Sequence, residues 1–256
     1  MKTKKVNEVR KQIEYEYARN AYPDGFPKIP DISGKRYTDK DFFDLEFEKI
    51  FLKSWLMVFR ENEIPNPGDF KIFDKLQRDI LIVRQNDYSI KAFYNTCSHR
   101  GAPVVREKKG STKLLKCQYH SWAYELDGSL LRVPDERDFL ELDLSCRGLK
   151  NVHCDTWDGW IYVSLSKEDP GSLIDFLDPV ASEMKCFNSS ELITIWQNST
   201  IVKANWKTCL DAFMEVYHSP TIHRETVNIL LDGNGMAAGL LKNGHSRMVT
   251  PKRINL

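Results

Sequence analysis

Four residues of metal-binding types stand in two short, similar segments of the sequence. The first segment reads Cys97-Ser-His99-Arg-Gly and the second reads Cys117-Gln-Tyr-His120-Ser-Trp, with seventeen residues between His99 and Cys117. Each segment therefore offers one thiol and one imidazole. Thiolates and imidazoles are the protein ligands of iron-sulfur centres and of zinc.

The mixed composition of each segment favours an iron-sulfur cluster. Two thiolates can hold one iron while two imidazoles hold the other, which is the ligation of a Rieske 2Fe-2S cluster, a one-electron relay. The alternative is a structural zinc site of two Cys and two His. Zinc fingers usually pair Cys with Cys and His with His along the chain, so we predict a cluster held by Cys97, His99, Cys117 and His120.

A second group of candidate ligands surrounds Pro220. Non-heme Fe(II) oxygenases bind iron through two His and one carboxylate. On an unbroken helix, His218 and His223 would point about 140° apart, but Pro220 should end or bend the helix and let the rings converge. Asp211 and Glu215 would share the helical face of His218. The alternative is an amphipathic helix with two incidental histidines.

The elements that carry the first group are predicted to be short strands. Between residues 70 and 165, β-rich runs alternate with turn residues, which is typical of a small antiparallel β domain. Asn86-Asp87 and Asp127-Gly128 have the composition of hairpin turns. Each metal-binding segment adjoins a predicted strand. The predicted strands are Phe70–Phe73, Ile80–Val83, Ile90–Asn95, Leu114–Cys117, Ala123–Leu126 and Trp160–Ser164.

The remaining elements are predicted to be mostly helical. Residues 1–20 form a helical arm, residues 22–34 an extended linker, and residues 38–59 an amphipathic helix capped near Thr38 or Asp39. Residues 193–202 and 246–250 are predicted strands, and residues 204–219 a predicted helix. The apolar residues of this last helix should form a buried stripe; they are Trp206, Leu210, Phe213, Met214 and Tyr217.

Composition argues against several functional classes. The chain has 41% hydrophobic residues, a formal charge of +1 and no apolar run of eighteen residues, so we expect no nucleic-acid or membrane partner. The N-terminus lacks the apolar core of a secretory signal, and we expect a cytoplasmic protein. The four cysteines outside the two segments should be buried thiols; they are Cys146, Cys154, Cys186 and Cys209.

The two groups of residues resemble one family. Cys-x-His-Arg-Gly followed by Cys-x-Tyr-His-x-Trp resembles the Rieske domain of Rieske non-heme iron oxygenase large (alpha) subunits, the aromatic-ring-hydroxylating dioxygenases, over about residues 40–165. Asn-Trp-Lys, then acid-x-Tyr-His-x4-His, resembles the start of their catalytic domain. By this resemblance Arg100, Gly101 and Trp122 shape the loops and cover the sulfurs, and Ser121 stands where the family usually has Gly.

The resemblance implies an α+β fold in three parts. Residues 1–37 would be an arm and linker, residues 38–168 an antiparallel β Rieske domain, and residues 169–256 the start of a helix-grip (START-like) catalytic domain. The family's third iron ligand, an Asp or Glu, lies far downstream of the second His, and Asp232 is too close to be that ligand. We therefore expect this chain to be a fragment or a truncated gene product with an incomplete iron site.

The resemblance also implies a function. His218 and His223 would bind a mononuclear Fe(II), and Glu215, usually an Asp, would bridge to a cluster His of the neighbouring subunit. Electrons would pass from NAD(P)H through a reductase or ferredoxin to the cluster and then to the iron, which activates O2 to hydroxylate an aromatic or related small molecule. The family's cluster and iron lie too far apart within one subunit, so a homotrimer is expected.

Two other functions remain open at this stage. Some relatives that oxidise quaternary amines have Glu at the position of Glu215, so oxidative cleavage of an amine or methoxy compound is one alternative. The other, from a different class, is a Rieske electron carrier with no catalysis of its own. Such a carrier would not need Glu215, His218 or His223.

Overall fold

The structure, a computed structural model, describes residues 3–23 and 25–253. It divides into two compact units. The β unit comprises Glu46–Phe176 and Asn188–Gln197, and the terminal unit comprises Met1–Leu45, Leu177–Phe187 and Asn198–Leu256. The domain boundary that we place near residue 168 stays a prediction.

The β unit contains a seven-stranded antiparallel sheet and a three-stranded one. Strand order in the larger sheet is β1-β10-β9-β4-β3-β2-β5, and in the smaller sheet β6-β7-β8. The strands are β1 (Trp55–Arg60), β2 (Asp69–Phe73), β3 (Ile80–Arg84), β4 (Ile90–Tyr94), β5 (Lys109–Ser111), β6 (Leu115–Lys116), β7 (Ala123–Tyr124), β8 (Leu130–Arg132), β9 (Asn151–Trp157) and β10 (Trp160–Ser164).

Strand β3 lies at the centre of two hydrophobic cores. Because side chains alternate between the faces of a strand, Ile80 and Ile82 enter one core while Leu81 and Val83 enter the other. All four are buried. The core that contains Leu81 and Val83 also contains Cys97 and Cys117. The metal-binding segments are thus built onto a packed interior.

The predicted strands of this unit are confirmed, and both predicted hairpin turns connect neighbouring strands. Four strands of this unit were not predicted as strands, namely β1, β5, β8 and β9. Strand β5 has the sequence Lys-Gly-Ser and pairs with β2 at the edge of the sheet. Tertiary pairing overrides weak local preference here.

The predicted helix over residues 38–59 is correct only in its first half. The Asp39 carboxylate accepts hydrogen bonds from the main-chain N–H groups of Asp41 and Phe42, at 2.8 and 3.3 Å, and so caps the helix as expected. The helix then ends, after a π-helical turn at Phe47–Phe51, and β1 follows. Pairing of β1 with β10 stabilises Trp-Leu-Met-Val-Phe as a strand, which suits its aromatic and β-branched residues.

The terminal unit combines short helices with one hairpin. The predicted N-terminal helix and the strand near residue 246 are confirmed. Helices α1 (Thr3–Ala18), α2 (Lys35–Thr38) and α3 (Lys40–Glu46) precede the β unit in sequence. The later elements are α4 (Leu173–Leu177, of which all but Leu177 belong to the β unit), α5 (Val180–Met184), α6 (Trp206–Asp211), α7 (Ser219–Ile222), α8 (Val227–Leu230), β11 (Ala237–Leu240) and β12 (Ser246–Val249).

A buried ion pair joins α5 to β12 in this unit. Both Glu183 carboxylate oxygens accept hydrogen bonds from Arg247 Nη1, at 2.8 and 2.9 Å, and Lys5 Nζ lies 3.8 Å from the carboxylate. The Glu183 side chain is only 8% exposed. The ion pair supplies hydrogen bonds that replace those a buried carboxylate loses to water.

Two predictions for this part of the chain are wrong. Residues 193–202 form no strand, because no described strand pairs with them. The helix predicted over residues 204–219 is α6 alone, followed by turns. Its apolar stripe is not buried either: Tyr217 is 94% and Phe213 78% exposed, since no described element covers them. No helix in the described ranges is long and apolar enough to span a membrane.

Candidate functional site

The two metal-binding segments fold into matching loops. In the first loop, Gly101 N–H donates to the Cys97 carbonyl at 2.9 Å, and Cys97 N–H donates to the Ala102 carbonyl at 2.8 Å. In the second, Ser121 N–H donates to the Cys117 carbonyl at 3.0 Å, and Cys117 N–H donates to the Trp122 carbonyl at 2.9 Å. Main-chain groups thus close both turns, which leaves the two thiols and the two imidazoles available as ligands.

The loops bring the two thiols together in the core. Cys97 and Cys117 are 3% and 1% exposed, and neither forms a disulfide. Burial raises the pKa of the Cys97 thiol, and the neighbouring Cys117 raises it further, although the hydrogen bond from Tyr124 opposes this effect. Two neighbouring buried cysteines that form no disulfide match a site that a metal completes.

The two imidazoles form a separate pair. The ring centroids of His99 and His120 lie 4.7 Å apart. Trp122 stacks on His99 at 4.8 Å with an interplanar angle of 7°, and Phe139 contacts the same ring edge-on. The Nδ1 atom of His99 is buried and has no hydrogen-bond partner. A buried ring nitrogen without a partner is costly unless a ligand completes it.

This arrangement fits a two-iron cluster better than a single zinc ion. A tetrahedral zinc site needs four donors around one point. Here the thiols of Cys97 and Cys117 lie in the hydrophobic core, whereas the rings of His99 and His120 pair with one another. A pair of thiols beside a pair of imidazoles is what a 2Fe-2S cluster requires, since each iron takes one pair. The residues therefore fit the predicted cluster; their roles as ligands stay a prediction.

Tyr124 is a residue of this site that sequence reasoning missed. Its hydroxyl oxygen lies 3.0 Å from the Cys97 sulfur, and burial raises the pKa of the phenol, so it keeps its proton. The available signal was the alternation of side chains along extended backbone, which places Tyr124 on the same side of the chain as Trp122, two residues earlier. Phe139 was also missed, and its position in a turn-rich segment gave no periodic signal.

The second candidate site lies in the terminal unit. The rings of His218 and His223 face one another at a centroid distance of 5.2 Å and an interplanar angle of 69°. Pro220 stands in the first turn of α7, and the two histidines flank that helix. The predicted convergence of the rings is therefore confirmed. The helix break responsible for it, however, begins already after Asp211.

Glu215 fixes the orientation of His218. One carboxylate oxygen is hydrogen-bonded to His218 Nδ1, and the other accepts from the His218 main-chain N–H at 3.1 Å. Both hydrogen bonds lower the pKa of Glu215, and the bond with the His218 ring has the larger effect. With Nδ1–H directed at a carboxylate, Nε2 is the nitrogen left for a metal.

We predicted that Asp211 would lie on the same face as His218, but it contacts a different residue. Its carboxylate accepts a hydrogen bond from the Tyr37 hydroxyl at 2.9 Å. Among the described residues, His218 and His223 have no third ligand arranged with them. The pair therefore fits two positions of a two-His, one-carboxylate iron site.

The other cysteines are not the set of buried thiols that we expected. Cys146 and Cys186 are exposed, and Cys154 and Cys209 are partly buried. Cys146 lies next to Asp143, whose carboxylate caps a short 3-10 turn. The prediction was wrong for Cys146 and Cys186 because both lie in short turns of a single helical winding that cannot bury their side chains.

Two family patterns match the chain. The Rieske 2Fe-2S domain matches residues 54–153, and the catalytic domain of the ring-hydroxylating alpha subunit matches residues 174–254. Together they define a protein that joins a Rieske domain to a ring-hydroxylating catalytic domain. The chain belongs to the family of Rieske non-heme iron oxygenase large (alpha) subunits. The α+β fold is confirmed, and both expected cofactors, a Rieske cluster and a mononuclear iron, agree with these matches.

Relatives include enzymes named for different substrates. The chain is 33% identical over 196 residues to a glycine betaine monooxygenase oxygenase subunit of Pseudomonas aeruginosa, covering 77% of this chain and 45% of the relative. It is 34% identical over 215 residues to the large oxygenase component of a 2,4-dinitrotoluene dioxygenase system of Burkholderia sp., covering 81% and 47%.

Solved structures of oxygenases also resemble this chain. A quaternary ammonium Rieske monooxygenase in complex with L-carnitine superposes with a TM-score of 0.74 at 26% identity, covering 84% of this chain and 62% of the other. A naphthalene 1,2-dioxygenase bound to phenanthrene gives 0.65 at 33% identity, covering 72% and 43%. The chain thus spans less than half the length of the curated relatives it matches.

Proposed function

We propose that this chain provides the electron-relay site and two iron ligands of an oxygenase that hydroxylates an aromatic or related small molecule. The observation that carries the proposal is the pairing of Cys97 with Cys117 and of His99 with His120 in two matching loops. Bound there, the cluster would supply single electrons, and an iron on His218 and His223 would activate O2.

The residues of each site have distinct roles in this proposal. Cys97 and Cys117 would hold one iron of the cluster, while His99 and His120 would hold the other. Trp122 stacks on His99, covers that ring from solvent and fixes its plane. These contacts limit movement of the ligands between oxidation states, which favours fast electron transfer.

In the second site, Glu215 acts as an orienting carboxylate. It holds His218 in one tautomer, and its exposed edge is free to accept a hydrogen bond from a cluster histidine of a neighbouring subunit. We propose a homotrimer on this ground, with the domain boundary near residue 168. The two family matches lie on either side of that boundary, at 54–153 and 174–254. A cytoplasmic location and a reductase or ferredoxin donor complete the proposal.

A second candidate is oxidative cleavage of a quaternary amine. The observation that favours it is Glu215, at a place where aromatic-ring oxygenases usually have Asp. The similarity to the glycine betaine and L-carnitine enzymes supports it as well. Neither feature outweighs the similarity to aromatic dioxygenases.

A single-turnover experiment separates these functions. Protein reconstituted with cluster and Fe(II) is reduced anaerobically and mixed with 18O2 and either naphthalene or glycine betaine. An oxygenase consumes the cluster electron faster with its substrate and forms labelled product, and the substrate that does so identifies the branch. The alternative result is a cluster that is reoxidised at the same rate with and without either substrate, and that forms no labelled product. In protein that retains its iron, this result would indicate an electron carrier.

A further inference from the structure

The Tyr124 hydroxyl stands among three groups of the first cluster loop. Its oxygen lies 3.0 Å from the Cys97 sulfur, 3.1 Å from the Ser98 main-chain nitrogen and 3.0 Å from the Ser98 hydroxyl oxygen. Tyr124 is 0% exposed. Bulk solvent therefore does not accept the phenol proton. The neighbouring protein groups decide which atom does.

Counting protons limits the possibilities. The Ser98 hydroxyl oxygen lies 2.6 Å from the Arg147 carbonyl oxygen, and a carbonyl only accepts, so the single proton of Ser98 is directed at Arg147. The Ser98 main-chain N–H only donates, and Tyr124 is its acceptor. Cys97 carries no proton when it binds iron as a thiolate, so one proton remains, that of Tyr124. It has two acceptors, the Cys97 sulfur and the Ser98 hydroxyl oxygen.

We propose that Ser98 sets the strength of the Tyr124 hydrogen bond to Cys97 by competing for this one proton. A proton shared between two acceptors bonds each of them less strongly than it would bond one alone. Ser98 is then a positioning residue, which acts on the cluster only through Tyr124. The inference rests on the proposed role of Cys97 as a cluster ligand.

The expected consequence concerns the reduction potential of the cluster. Reduction adds negative charge to the cluster, so a hydrogen bond to a ligand sulfur stabilises the reduced form and raises the potential. Removing the donor in Tyr124→Phe should lower the potential. Removing the competing acceptor in Ser98→Ala should raise it, because the whole proton then goes to Cys97.

A double-mutant cycle tests the mechanism. Midpoint potentials of holoprotein at equal iron and sulfide content are measured for Ser98→Ala, Tyr124→Phe and the double variant. The double variant should have the potential of Tyr124→Phe, since Ser98 has no effect without the phenol proton. Ser98→Thr keeps the hydroxyl and should keep the wild-type potential. If Ser98→Ala does not load its cluster, Ser98→Gly carries the same prediction.

The hydrogen bond itself can be followed by a second readout. Electron-nuclear double resonance of samples in D2O detects the exchangeable proton next to the Cys97 sulfur. Its coupling should grow in Ser98→Ala and disappear in Tyr124→Phe. A purely structural role of Ser98 would broaden the signals without this ordered change.

Two results would overturn the inference. One is a lower potential in Ser98→Ala, and the other is an equal Ser98→Ala shift with and without Tyr124. Either can occur in protein that contains an intact Rieske cluster, so the proposed function would survive. Failure of the proposed function looks different, because wild-type protein would then show no Rieske signal at all.

Discussion

Gly101 and Ser121 occupy corresponding positions in the two cluster loops, and both have a left-handed backbone, with φ of 74° and 58°. Each donates its N–H to the carbonyl of the cysteine four residues earlier. Glycine adopts this conformation readily, whereas a serine does so at a cost. The family's usual glycine at position 121 is thus explained by backbone geometry, and the serine retains the loop under strain.

Ser121→Gly should therefore stabilise the protein by about 1 kcal/mol, the conformational cost of a left-handed non-glycine residue. The shift in the midpoint of chemical unfolding of cluster-loaded protein measures it. Gly101→Ala is the matched reverse change, and it should destabilise by a similar amount. The nearest atom to its added Cβ would be Thr96 Cγ2 at 4.0 Å, so steric clash does not contribute. A less stable Ser121→Gly variant would contradict this account.

Gly128→Ala should destabilise the β unit strongly. Gly128 has φ of 87°, and an added Cβ would lie 2.4 Å from Phe93 Cε1, an atom of a fully buried ring. We expect a loss of about 3 kcal/mol, from overpacking and backbone strain together. Gly171→Ala is the control, because it has φ of 72° but no atom within 4 Å. It should cost only about 1 kcal/mol. Equal losses in both variants would show that packing against Phe93 contributes nothing.

Sequence reasoning succeeded where local signals and chemistry coincided. The cluster loops combine unusual residue types with strands on both sides, and the rings of His218 and His223 converge as Pro220 suggested. It failed where long-range contacts decide the outcome. Residues 55–59 have helical periodicity, yet pairing with β10 makes them a strand. Residues 193–202 have strand composition, yet no described strand pairs with them.

Contacts around the cluster site that join distant parts of the chain could not be predicted from the sequence. The hydrogen bond between Ser98 and the Arg147 carbonyl joins residues 49 positions apart. The contact of Phe139 with His99 likewise depends on the path of an irregular segment. Neither contact leaves a periodic pattern in the sequence, because all four residues lie outside helices and strands.

Metal binding in the terminal unit should depend on both histidines. We expect His218→Ala and His223→Ala to weaken binding of Fe(II) beyond the cluster's own iron by at least about tenfold, because loss of even an outer-shell partner of a metal ligand has an effect of that size. Anaerobic Fe(II) titration of cluster-loaded protein measures this. The cluster signal should be unchanged in both variants. His153→Ala, an exposed histidine of the β unit, is the control. Unaltered Fe(II) binding in both variants would remove these residues from the iron site.

Stability of the terminal unit should depend on the ion pair of Glu183 with Arg247. Glu183→Gln removes the charge that compensates a guanidinium whose side chain is only 17% exposed, and we expect a loss of about 2 kcal/mol. Glu14→Gln, at an exposed position of α1, should change stability by less than about 0.5 kcal/mol. Thermal unfolding of the two variants compares them. An unchanged midpoint in Glu183→Gln would mean that solvent already compensates Arg247.

The most direct test of the central claim is electron paramagnetic resonance of anaerobically purified, dithionite-reduced protein, with iron, sulfide and zinc quantified on the same sample. A Rieske cluster predicts a rhombic signal at low average g, with two irons and two sulfides per cluster, and its loss in Cys97→Ala. Colourless protein with one tightly bound zinc and no such signal would contradict the account, because Cys97, His99, Cys117 and His120 would then form a structural site and relay no electron.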